Sequence, residues 1–274
     1  KDILLRLKDY SMQVTPGGSS ANTIAGVANF GGNGVLMGKV GNDSHGELYV
    51  NETEKVGVKT QISKDEAITG HAITFITPDS ERTFATHLGA AVNFTKDNVS
   101  ESAIKESKII HFEGYLFEPP VLREACMHAM QIAKENNVLI SLDLSDPGLI
   151  DRIKDVFTSI LTDYVDIVFV NEEEAKAFTG KNEEEALSVL STYCDFSVVK
   201  LGQLGSIIAC ENEVIKIDPI QVDVMNTNGA GDMYVGLATA RADFSAGAAK
   251  FIYDDQTHLL TAYTNALNRR YGND

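Results

Sequence analysis

Asn226-Thr227-Asn228-Gly229-Ala230-Gly231-Asp232 is followed at once by a helix-forming run, Met233 to Arg241. Three small residues at a helix start let backbone approach a ligand closely. The unpaired N–H groups of the first helical turn and the positive end of the dipole then favour a phosphate. A carboxylate in that place would repel an anion unless it has its own task. Taking a proton from a hydroxyl that attacks phosphorus is such a task, so Gly229, Ala230 and Gly231 read as an anion hole and Asp232 as a general base. Taken alone the heptapeptide is ambiguous, because glycine-rich turns and first-turn aspartates also serve helices that bind nothing. It is not a Walker loop, since no Gly-x-x-x-x-Gly-Lys-Ser/Thr occurs in the chain.

Other stretches remove much of that ambiguity. Pro16-Gly17-Gly18-Ser19-Ser20-Ala21-Asn22 precedes a small-residue helix, Thr23 to Phe30, and Gly38-Lys39-Val40-Gly41-Asn42-Asp43 follows it. With residues 226–232 these resemble the two signature regions of the ribokinase (PfkB-type) family of carbohydrate and nucleoside kinases, adenosine-kinase-like branch. Gly17, Gly18 and Asn22 match its Gly-Gly-x-x-x-Asn element, and Gly38, Gly41 and Asp43 its Gly-x-x-Gly-x-Asp element. Asn171 and Glu174 match Asn-x-x-Glu, and Lys200-Leu201-Gly202-Gln203-Leu204-Gly205 matches the nucleotide-binding Gly-x-x-Gly turn. Each motif is weak alone; in family order from about residue 2 to residue 240 they are strong.

The resemblance implies an ATP-dependent phosphotransferase that uses Mg²⁺ and acts on a hydroxyl of a sugar or sugar-like substrate. A nucleoside kinase is the alternative and a non-catalytic binding protein a remote one. It implies that Asn171, Glu174, Lys200, Gly202, Gly205 and Thr227 serve the nucleotide, with Mg²⁺ organised through water by Glu174 and Asp143. It implies that Asp2, Gly17, Gly18, Asn22, Asp43, Arg82 and Glu113 face the acceptor, carboxylates and amides being suited to paired hydroxyls. Glu113 reads equally well as a solvated loop acid, Glu172-Glu173-Glu174 as an ordinary acidic helix start, and Gly202/Gly205 as a tight turn. Phe75, Phe84, Phe112, Tyr115 and Phe117 are available to stack on a nucleobase.

There are departures from the family pattern. Asn226 stands where the family has Asp; the strand expected before Asp2 is missing; Lys8 to Pro16 is short; and the match decays beyond Asp243. Missing residues are the expected cause of the short spacings, because deleting a central strand would expose core.

The alternation of apolar and amphipathic runs points to an α/β fold: a parallel central sheet covered by helices on both faces, with a small antiparallel β lid. Strands are expected at 108–112, 138–142, 165–170 and 196–199. Helices are expected at 119–136, 149–162 and 172–178. Ligands on such sheets bind beyond the strands' carboxyl ends. The expected division is a kinase core at 1–55 and 91–274 and a lid at 56–90. Within the lid, Val58–Ile62, Ile68–Thr77 and Arg82–His87 form one antiparallel sheet.

A net charge of −16 over 274 residues disfavours nucleic acid and would repel ATP, leaving Arg82, Lys39 and Lys200 as candidate local cations. No apolar run reaches membrane-spanning length. Cys126, Cys194 and Cys210 show no paired spacing and read as reduced core thiols in a cytoplasmic enzyme, monomeric or homodimeric.

Overall fold

The computed structural model describes residues 14–76, 82–210, 213–219 and 229–241. Asp2, the stretch 8–13, Asn226, Thr227, the side chain of Arg82 and residues 242–248 lie outside the described residues, and with them the expectations placed there.

The sheet that positions the site has the order β10–β9–β8–β7–β6–β5. Its strands are β5 (Ile109–Glu113), β6 (Leu139–Asp143), β7 (Ile167–Asn171), β8 (Phe196–Lys200), β9 (Ser206–Cys210) and β10 (Glu213–Ile217). Strands β5 to β8 run parallel, and β9 and β10 add on antiparallel. The sheet is therefore mixed, with a parallel part where the apolar runs predict one. Ile167, Val168, Phe169 and Val170 are all buried, as a strand covered on both faces requires. Val168 and Val170 join the core built by α3 (Glu101–Lys105), α4 (Pro120–Glu135), α5 (Pro147–Asp163, interrupted at Ile153), α6 (Glu172–Thr179) and α7 (Glu183–Leu190). Ile167 and Phe169 face the other way and meet Val235 and Ala238 of α8 (Ala230–Arg241).

The local reasons for these helices lie in their first turns. Asp146 caps α5 by accepting from Leu149 N–H at 2.7 Å, and Pro120 opens α4 where a missing N–H costs nothing. Helix α1 (Ser19–Asn29) is rich in small residues because it crosses α8 at backbone distance. A Cβ on Gly236 would stand 2.4 Å from Thr23 O and 3.1 Å from Gly26 Cα.

Two smaller pairs complete the described structure. The hairpin β3 (His71–Ile76) and β4 (Arg82–His87) is antiparallel as expected. The run from Val58 is not part of it. It forms β2 (Lys59–Asp65), which lies parallel to β1 (Val35–Gly41), a strand that the glycine motif concealed. Parallel pairing across the intervening helix α2 (Ser44–Lys55) leaves no local turn signal to read.

Candidate active site

The four parallel strands end on Glu113, Asp143, Asn171 and Lys200. Glu113 is the register partner of Asp143, and Asn171 of Lys200. One edge of the sheet thus carries two carboxylates, an amide and an ammonium, at the carboxyl ends where α/β folds bind ligands.

Asp232 stands in the first turn of α8 above this edge, after Gly229 with its φ of 68°. Asn22 Nδ2 donates to Asp232 Oδ2 at 2.8 Å, and Thr23 Oγ1 donates to the Asp232 carbonyl at 3.2 Å. Burial raises the Asp232 carboxyl above the usual carboxylate range, while the Asn22 amide opposes the shift. Among the described residues the buried Asn22 Oδ1 has no hydrogen-bond partner. A buried acceptor without a donor is costly, so a ligand hydroxyl at this point would be held.

Lys200 supplies the local cation. Its Nζ donates to Asp143 Oδ2 at 2.6 Å, and both side chains are nearly buried. Burial alone would lower the ammonium's pKa, but Asp143, Glu174 and Asp232 outweigh it and hold the group above its ordinary value. The face of Gly231 opens on Lys200: a Cβ there would stand 3.3 Å from Nζ. Glycine keeps that space clear between the helix start and the ammonium, a cradle suited to an anionic oxygen.

Several expected site residues also carry local structure. Asn171 and Glu174 form a reciprocal capping box at the start of α6. The Asn171 backbone N–H donates to Glu174 Oε2 at 2.8 Å, Asn171 Nδ2 donates to Oε1 at 2.7 Å, and Glu174 N–H donates to Asn171 Oδ1 at 2.9 Å. Burial first, then Asp143, raises the Glu174 carboxyl, with Lys200 acting against them. Asp143 Oδ1 accepts from Ser145 N–H at 2.9 Å. Among the described residues no group of three or more His, Cys, Asp or Glu side chains is placed to hold a metal. With its oxygens engaged, the Asp143–Glu174 pair fits a cation that keeps its own waters rather than one stripped of them.

Asp43 also carries local structure. It caps α2 through Gly46 N–H at 2.8 Å and ties Thr69 by both its N–H (2.8 Å) and its hydroxyl (2.6 Å). The Thr69 bonds, with Gly46, hold its carboxyl down at about 2. A carboxylate so bonded fastens the glycine turn to the base of the hairpin. Gly205 is likewise demanded by the chain itself, since a Cβ there would stand 2.0 Å from Ile217 O. Lys39 pairs with Asp65 at 3.3 Å and Asn93 O at 2.8 Å, so it is no free cation. Phe112 and Phe117 are core residues, whereas Phe84 and Tyr115 are exposed where they line the cleft with Gly17, Gly18 and Glu113.

Glu113 Oε2 accepts from Ser20 N–H at 3.1 Å. Burial, then repulsion from Asp232, pushes its carboxyl up to about 7. His111, which the motifs did not flag, sits beneath the site with Nδ1 2.9 Å from Ser141 Oγ, and burial lowers its pKa to about 4. A histidine inside an apolar run carries no signal until the neighbouring strand ends are known.

The chain matches the model for pfkB family carbohydrate kinases over residues 6–247, and it belongs to that family. It is 29% identical over 268 residues to an adenosine kinase of Saccharomyces cerevisiae, spanning 91% of this chain and 75% of that one. It is 27% identical over 258 residues to fructokinase-2 of Solanum lycopersicum, spanning 89% and 74%. Its structure superposes on the crystal structure of adenosine kinase from Sinorhizobium meliloti with a TM-score of 0.84 and 30% identity, covering 97% and 87% of the two chains. No helix among the described residues is long and apolar enough to cross a membrane.

Proposed function

We propose that this kinase transfers the γ-phosphoryl group of ATP to a hydroxyl of a sugar or sugar-like acceptor. The observation that carries the reading is the placing of Asp232, held by Asn22, directly after Gly231, whose face opens on Lys200. Asp232 accepts the acceptor's proton as its oxygen attacks phosphorus. The first-turn N–H groups of α8 and the Lys200 ammonium stabilise charge on the phosphoryl oxygens. Asn22 orients Asp232 and offers Oδ1 to the acceptor. Asp143 sets the place of Lys200 from one side. A hydrated Mg²⁺ held near Asp143 and Glu174 would neutralise phosphate charge when bound.

The relatives named above include a fructokinase and adenosine kinases. A nucleoside acceptor is the second reading, favoured by the exposed Phe84 and Tyr115 on the cleft wall, which give a base an apolar face. A coupled ADP-release assay with Mg²⁺-ATP and ribose, fructose, adenosine, inosine or 2-keto-3-deoxygluconate tests both. Turnover of a free sugar with adenosine inert supports the first reading, and the converse supports the second. Failure of all the acceptors overturns both.

A further inference from the structure

The helices α1 and α8 behave as one piece at their active ends. Asn22 and Thr23 of α1 hold the side chain and the carbonyl of Asp232, and Gly26 and Gly236 bring the two backbones into contact. The catalytic cation belongs to a different body, since Lys200 and its partner Asp143 end two strands of the sheet. The chemistry needs the carboxylate on the helix pair to keep a fixed distance from the ammonium on the sheet. Something must therefore pin the helix pair to the sheet on the acceptor side.

We propose that Glu113 is that pin, a positioning residue for Asp232 rather than a reader of the acceptor. It is the last residue of β5 and is in register with Asp143, so its place is fixed by the strand ladder that also fixes Asp143. From there Oε2 accepts the N–H of Ser20, two residues before Asn22 in the same helical turn. The sequence of contacts runs from sheet to Glu113, to the first turn of α1, to Asn22, to Asp232. On the opposite side Tyr234 of α8 shares a hydrogen bond of 2.8 Å with Ser206 of β9, and Val235 and Ala238 pack on Ile167 and Phe169, so Glu113 adds the tie on the acceptor side. The groups around Glu113 are consistent with a structural tie. Ser19 and Ser20 lie on its α1 side, Asp232 on its α8 side and the buried Cys126 thiol on its α4 side, and no cation among them claims the carboxylate. Oε2 is already aimed at a backbone N–H of α1, the contact a tie to that helix requires.

The proposal rests on Asp232 being the base, and the test separates the two claims. Glu113→Ala removes the acceptor of the Ser20 N–H; Glu113→Gln keeps a carbonyl oxygen there. The expected result is a kcat lowered about tenfold to a hundredfold in the alanine variant, the cost of a base displaced by up to about an ångström. KM for ATP should stay within about twofold, and glutamine should restore most of the loss. In parallel, the Asn22 side-chain amide resonances in ¹H–¹⁵N spectra report its bond to Asp232 without any turnover. They should move in Glu113→Ala and stay in place in Glu113→Gln. A raised acceptor KM with unchanged kcat in the alanine variant would make Glu113 a substrate contact and overturn the proposal. Unmoved Asn22 signals in both variants, or equal losses in both, would overturn it too. A wild-type protein inactive on every acceptor defeats the kinase reading, while the amide signals still decide whether Glu113 positions Asp232.

Discussion

At the scale of single residues, Asp232 and Gly231 carry the sharpest expectations. Asp232→Asn keeps the contact with Asn22 and removes the proton acceptor, so kcat should fall about a hundredfold to ten-thousandfold with ATP binding nearly intact. Calorimetric ATP affinity beside steady-state rates checks this; an unchanged kcat would make Asp232 a helix-start acid and nothing more. The raised Asp232 carboxyl gives kcat an acid limb, activity falling as pH drops and the base takes up its proton. Gly231→Ala puts a methyl group 3.3 Å from Lys200 Nζ, where the flexible ammonium must yield. A loss of between about threefold and a hundredfold in kcat is expected, with a melting temperature close to wild type. The residues hardest to read beforehand were those with two honest uses. An Asn followed three positions later by Glu is both a metal-organising pair and a capping box, and Asn171 and Glu174 form the box whatever else they hold. Asp43 posed the same problem, since a carboxylate before a helix caps it or meets a ligand with equal chemical ease.

At the scale of elements, the buried parallel strands were legible because burial on both faces demands unbroken apolar runs, as at 167–170. Strand β1 was not, because Gly38, Lys39 and Gly41 interrupt its pattern, and β2 was given the wrong neighbour because its partner lies across a helix. The antiparallel return through β9 and β10 follows a turn that a nucleotide motif had already claimed. The bonds of Asp43 and Thr69 join β1, α2 and the approach to the hairpin, so Asp43→Ala should loosen this joint as a unit. Loss of the cap costs about 1 kcal/mol. The stranded N–H of buried Thr69 adds about 1–3 kcal/mol. The stability this carboxylate contributes has a definite pH window. Its folded value of about 2 lies below the ordinary 3.8, so the contribution is complete above 3.8 and disappears as pH falls through 2. Acid unfolding followed by circular dichroism should show a shallower slope between those values in Asp43→Ala, and an identical slope would detach Asp43 from the joint.

At the scale of the whole molecule, a buried acid and a large negative charge set the response to conditions. Glu113 titrates near 7 in the folded chain and near 4.5 when exposed, so between these values the folded state holds a proton that the unfolded state has released. Stability from this source therefore declines as pH rises from 4.5 to 7, and Glu113→Gln should flatten the melting-temperature profile over that window. A profile equally steep in the variant would place the titration elsewhere. With a net charge of −16, encounter with ATP should quicken as salt shrinks the screening length from about 30 Å at 0.01 M to about 8 Å at 0.15 M. Stopped-flow association rates that fall over this range would show that the field at Lys200 outweighs the rest of the surface. One geometric fact also governs when the enzyme comes into being. Asn22 and Asp232 are 210 positions apart along the chain. A ribosome adding about 5–20 residues per second spends roughly ten to forty seconds between them. Strands β5 to β8 and their ammonium are complete only once Lys200 has been added, and even then the proposed base is still to come. A nascent chain cannot spend nucleotide before its own last catalytic turn has been translated.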